Sequence, residues 1–160
     1  VSAGPGASAR SATAPFRLEL LRAMETFVIG HEVGHCYFEE RRASQESASV
    51  AEEFACDLYA LAVSRTVGNR HHSWIAFNGA GAYVFLRVAA ICTPIPEGAR
   101  SASESTHPAS KERAEAVRET SIANMAADQR DGVMAYLGDL EAMCNEIESL
   151  VSAVVSNGLR

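Results

Sequence analysis

Two histidines four residues apart, His31 and His35 in the run HEVGH, are the side chains of this sequence best suited to chemistry. On a helix, positions i and i+4 share a face, so both imidazoles can meet one cation. Glu32 follows His31 and lies about 100° further round such a helix, beside the position the cation leaves open. Neutral imidazole nitrogen suits Zn²⁺, and a carboxylate next to a metal-acidified water is a base of useful strength. By itself the motif also fits an amphipathic helix with two incidental histidines, so its surroundings decide.

Two histidines do not complete a zinc site. Catalytic zinc usually takes three protein ligands and leaves the fourth position to water. The stretch EEFACD, residues 52 to 57, offers the missing one. Glu53 and Asp57 are again four apart and share a helical face. Glu53 can be the third ligand. Asp57, one turn on, can accept the ring N–H of a ligating histidine and so fix its tautomer. Taken without HEVGH, the same acids read as a solvated helix face.

The elements that must hold these groups are legible as helices. Residues 1–14, VSAGPGASARSATA, read as a flexible leader ahead of a single domain over 15–160. Pro15 suits a first helical turn, with Thr13 as a cap. Leu18, Leu21, Met24, Phe27, Val28 and Val33 then recur in steps dominated by three and four, predicting an amphipathic helix that runs into HEVGH. Polar residues 39–47 mark a break. A second helix starts near Ser47 or Ser49, where Ser49 and Glu52 have capping-box spacing, and Gly68 is a stop signal. NRHHS at 69–73 is a loop, which makes His71 and His72 surface residues. The apolar run 74–93 reads as a buried core helix or as a membrane-touching segment; Arg87, Asn78, Gly79 and Gly81 weaken the second reading. Pro94 and Pro96 end it. Pro108 opens another helix from Ala109 to about Gln129, Asp131 or Gly132 breaks it, and a last helix covers Val133 to about Ser156. The stripe of that helix is Met134, Leu137, Leu140, Met143, Ile147, Leu150, Val151 and Val154. The expected fold class is mainly α, about five helices with no convincing strand.

Charge and cysteines narrow the function classes. A formal net charge of −6 without a basic stripe argues against nucleic-acid binding. Cys36, Cys56, Cys92 and Cys144 form no C-x-x-C pair, so a cysteine zinc knuckle is not expected. They read as free thiols of a reducing compartment, with a Cys92–Cys144 disulfide as the alternative. There is no basic region followed by an apolar one at the start, so no signal peptide is expected, and the expected location is cytoplasmic with membrane association left open.

HEVGH followed by EEFACD resembles the gluzincin metallopeptidases, whose pattern is H-E-x-x-H and then E-x-x-x-D on the next core helix. STHPASKER, residues 105 to 113, resembles the S-T-H-P-x-x-x-x-R element of the CAAX prenyl protease and heat-shock membrane protease family. Order and rough spacing of the three elements agree with that family over about residues 25 to 115. The resemblance implies a zincin-like core that binds Zn²⁺ and hydrolyses a peptide or protein substrate. It makes His31, His35 and Glu53 the ligands, Glu32 the general base and Asp57 the carboxylate behind a ligand. It places His107 over the cleft to stabilise the oxyanion and makes Arg113 the residue that orients that region. Tyr59 and Tyr83 are weaker candidates for the oxyanion role. Two features depart from the pattern. Cys56 stands where the family usually has Ala, and no strand is visible in the thirty residues before HEVGH, where such proteases hold substrate along a sheet edge. Two functional expectations follow: a zinc-dependent metallopeptidase, or a metal-holding regulatory or interaction module that has lost cleavage.

Overall fold

The computed structural model of the chain describes residues 6–40, 49–71, 75–92 and 109–156. They form five α-helices: α1 (Gly6–Glu39), α2 (Val50–His71), α3 (Gly81–Cys92), α4 (Ser110–Ala123) and α5 (Ala127–Ser156). One π-helical turn, Ala76–Ala80, leads into α3. No strand occurs among the described residues, and the chain is a mainly-α protein. Its core takes one nearly inaccessible large side chain from every helix: Phe27, Leu61, Leu86, Val117 and Leu137. Each such burial is worth about 1.5–3 kcal/mol, which is what holds five helices with little else in common together.

Several boundaries differ from the sequence expectation. Helix α1 begins at Gly6, not at Pro15, in a stretch whose alanines favour helix. Ser49 does cap α2: its hydroxyl accepts a hydrogen bond from Glu52 N–H at 3.2 Å. Gly68 lies inside α2, buried, and the helix continues to His71. The expected break at Asp131 or Gly132 falls instead at residues 124–126. There Asn124 donates both its backbone N–H and its side-chain amide to Thr120 O, and Met125 tucks into the core. Gly132 is interior to α5, with nothing within 4 Å of where its Cβ would be, so it faces open space and interrupts nothing. The buried stripe of α5 is Val133, Leu137, Leu140 and Cys144, whereas Met134, Met143, Ile147, Leu150, Val151 and Val154 are exposed.

The apolar run expected as one helix is kinked at Asn78–Gly79. Gly79 has φ +105°, a conformation that side-chain-bearing residues rarely adopt. A Cβ there would also collide with Ser121 Oγ. Arg65 on α2 pins the kink, donating from Nε to Asn78 Oδ1 at 2.7 Å and from Nη2 to Thr120 O at 3.3 Å. Within α3, Arg87 is buried and donates to Asn145 Oδ1 and Glu148 Oε2 on α5 at 2.7 and 2.9 Å. This run is therefore core, and no described helix is long and apolar enough to cross a membrane. All four cysteines are free, Cys92 exposed and Cys144 buried, so the alternative disulfide is not formed.

The contact that matters most for the site is between α1 and α2. Gly30 packs on Ala60 and Gly34 on Cys56, and a Cβ on either glycine would come within 3.0 and 3.2 Å of the facing Cα. Pairing 30 with 60 and 34 with 56 makes the helices antiparallel. Small residues on both sides at four-residue spacing let the two backbones nearly touch. His31 and His35, each next to one of these glycines, are thereby brought within reach of short carboxylate side chains on α2.

Candidate metal centre

His31, His35 and Glu53 form one cluster whose donor atoms all lie within 4.8 Å of one another. Nε2 of His31 and Nε2 of His35 are 3.0 Å apart. Glu53 reaches both rings, Oε1 to His35 Nε2 at 3.3 Å and Oε2 to His31 Nε2 at 3.5 Å. Zn²⁺ bound tetrahedrally at about 2.0–2.1 Å separates neighbouring donors by about 3.3 Å, close to the spacing of these atoms. Two imidazole nitrogens this close repel unless a proton or a cation lies between them. Formal charge points the same way: three carboxylates, Glu52, Glu53 and Asp57, converge on the two rings, and Arg113 sets a single positive charge against Glu53 and Asp57. The donor set of two nitrogens and a carboxylate fits a divalent ion of the zinc type.

Asp57 and Arg113 adjoin these donors, and Arg113 Nη2 stands 3.3 Å from Nδ1 and 3.5 Å from Nε2 of His31. Asp57 Oδ1 is 2.9 Å from His31 Nδ1, so it accepts that ring's N–H and turns Nε2 towards Glu53. Arg113, on the first turn of α4, donates from Nε and Nη2 to the two oxygens of Asp57 at 2.7 Å each. Its Nη1 stands 3.2 Å from Glu53 Oε2. Burial would raise the Asp57 pKa, but the hydrogen bonds from Arg113 and then His31 outweigh it and hold the carboxyl below its ordinary range. For Arg113, burial works against the charge, and the Asp57 contacts reverse the balance and push its pKa up. Asp57 is thus a fixed anion and Arg113 a fixed cation.

Glu32 is exposed on α1, one residue after His31. His107 lies outside the described residues. Tyr83, a candidate for the oxyanion, is fully buried in the main core instead. Tyr59 stacks on Tyr37 with ring centroids 5.6 Å apart. His71 is exposed at the end of α2, helical where a loop is expected from sequence, and His72 lies outside the described residues.

One participant, Glu52, is not marked as such by its sequence position. Its capping-box spacing to Ser49 accounts for its backbone N–H but not for its carboxylate. Oε1 of Glu52 stands 3.4 Å from Nδ1 of His35. Cys56 Sγ is 3.5 Å from the same nitrogen. Burial, then the charges of Glu52, Glu53 and Asp57, push the Cys56 thiol up to about 11, so it stays protonated at neutral pH. The signal in the sequence is the doublet Glu52–Glu53: neighbours on a helix diverge by about 100°, enough for each to address a different histidine atom.

A model of the family described as Peptidase U49 matches residues 13–134, which include both histidines, Glu53, Asp57 and Arg113. No curated protein and no solved structure matches the chain.

Proposed function

The chain belongs to the Peptidase U49 family, and from that membership we propose that it is a zinc-dependent metallopeptidase of the gluzincin kind, in which His31, His35 and Glu53 hold the ion. A peptidase acts on peptide or protein substrates, and the observation that carries the metal reading is the convergence of three donor atoms at tetrahedral spacing. When bound, Zn²⁺ acidifies water and polarises the scissile carbonyl.

The remaining work falls to the chain's own residues. Glu32 takes a proton from the attacking water and delivers it to the leaving amine, which a carboxylate can do from the exposed side of the helix. Asp57 holds the His31 ring in one tautomer, and Arg113 holds Asp57. Arg113 also offsets the charge of Glu53, which keeps two buried carboxylates compatible with each other. In this reading His107 supplies the oxyanion contact, as the STHP element suggests.

The test is the Glu32→Gln variant of the full chain, with bound metal and cleavage of an unstructured protein substrate both measured. General-base loss lowers turnover by about 10²–10⁴ while the metal stoichiometry stays at that of the wild type. Wild-type protein that holds no stoichiometric divalent ion sinks the metal assignment. Equal cleavage by the variant sinks the role of Glu32. Stoichiometric metal without cleavage of any substrate by the wild type would establish the other reading, a metal-holding module.

A further inference from the structure

Helix α2 meets the two histidines with four side chains in two adjacent pairs, Glu52–Glu53 and Cys56–Asp57, one turn apart. Glu53 and Asp57 are accounted for by the ligand set and by His31. The other member of each pair closes on His35. Glu52 Oε1 lies 3.4 Å and Cys56 Sγ 3.5 Å from Nδ1 of that ring, while its Nε2 is turned to His31 and Glu53. An imidazole whose Nε2 lone pair faces a cation carries its proton on Nδ1, and that proton needs an acceptor.

We propose that Glu52 and Cys56 are positioning residues for His35: a carboxylate and a thiol that share its Nδ1 proton, as Asp57 takes that of His31. This rests on the metal reading above.

The simpler account makes Glu52 a helix-capping residue and Cys56 packing. Geometry argues against it on both counts. In a capping box the glutamate side chain reaches back to the N–H of the capping residue. Here the cap contact runs from Glu52 N to Ser49 Oγ, and the Glu52 carboxylate, only 12% exposed, reaches across to α1. Cys56 is wholly buried, and its Sγ is 3.4 Å from where a Cβ on Gly34 would sit. The thiol is therefore confined between the α1 backbone and the His35 ring. The Glu52 oxygen at 3.4 Å is longer than the ~2.9 Å of an ordinary N–H···O bond, while 3.5 Å is an ordinary separation for the larger sulfur, so both acceptors flank one proton and neither holds it alone. A shared proton also predicts that each partner compensates for loss of the other.

The experiment measures the affinity of the full-length chain for Zn²⁺ and for Co²⁺ by competition with a chromophoric chelator. It compares wild type, Glu52→Ala, Glu52→Gln, Cys56→Ala and the Glu52→Ala/Cys56→Ala double variant. Circular dichroism and the Tm of each metal-free protein are recorded alongside. Partners of a metal-bound histidine are typically worth 10–100-fold in affinity. Glu52→Ala should weaken binding by about tenfold. Cys56→Ala should weaken it by less, and the double variant by more than the product of the two. Glu52→Gln keeps an acceptor oxygen and should return to within about threefold of wild type. The Co²⁺ absorption bands should shift in the variants that lose affinity, because the ligand ring is no longer held. If all variants bind like wild type, or if affinity follows only the Tm of the metal-free protein, the positioning role is wrong and the metal reading survives. If wild type itself binds neither ion, both fall.

Discussion

Arg113 on α4 grips Asp57 on α2 through both carboxylate oxygens, Nε to Oδ2 and Nη2 to Oδ1, each at 2.7 Å. The pair joins residues 56 positions apart and adjoins the cluster of His31, His35 and Glu53. Arg113→Met leaves the Asp57 carboxylate, 2% exposed, without its cation. Removing one partner of a buried pair costs about 3–5 kcal/mol. Urea denaturation of the metal-free variant should show that loss. Arg113→Lys should recover only part of it, since an ammonium cannot reproduce the two parallel bonds.

Metal removal should be visible as stability, independent of any substrate. An ion that binds only the folded chain adds about 2.7 kcal/mol when present at 100 times its Kd. A chelator should therefore lower the Tm of wild-type protein and leave that of Glu53→Ala unchanged. An equal response of the two proteins would show that the stabilising ion sits elsewhere.

The glycines divide into two classes with opposite expected outcomes. Gly132 and Gly138 of α5 have nothing within 4 Å of the point a Cβ would occupy, so Gly→Ala there gains helix propensity, about 0.5–1 kcal/mol each. Gly30 faces the backbone of Ala60 at 3.0 Å. Gly30→Ala should lose stability in spite of the same propensity gain, and should weaken metal binding by moving α1 away from α2. Thermal melts and chelator competition on the three variants separate these effects.

Tyr136 gives the chain an alkaline limit. Its ring packs edge-on against Phe16 at 5.3 Å, and its buried hydroxyl has no hydrogen-bond partner among the described residues. Burial pushes its pKa up to about 12 from an ordinary value of 10.0. A folded pKa above the unfolded one contributes stability that is complete below pH 10 and is lost as pH rises towards 12. Tyr136→Phe should remove this limb of the stability–pH curve and cost little at pH 7. An unchanged slope between pH 10 and 12 would assign the limit to other groups.

How far the sequence reaches differs between fold and site. The helices are legible because apolar residues recur at helical steps, and HEVGH with EEFACD names the cluster from spacing alone. What periodicity misses is set by tertiary contact. The kink at Asn78–Gly79 depends on Ser121 and Arg65, which lie outside the run, and locally only the Asn-Gly pair marks it. Gly132 resembles a breaker because propensity says nothing about whether a glycine faces open space. Glu52 escapes for a similar reason: capping-box spacing explains its place on α2, while its carboxylate answers to His35 on another helix.

The attachment of Arg113 to Glu53 and Asp57 bears on when the site becomes competent. His31, His35 and Glu53 all precede Arg113 by at least 60 positions. A chain emerging from its N-terminus therefore carries the full donor set well before the guanidinium that balances it has been made. Without α4, Glu53 and Asp57 would lack that counter-charge, and the anion that holds His31 would lose its bidentate partner. Among the residues of the cluster, the one that balances its charge is thus both the last in the chain and the one contributed by a helix outside the α1–α2 pair.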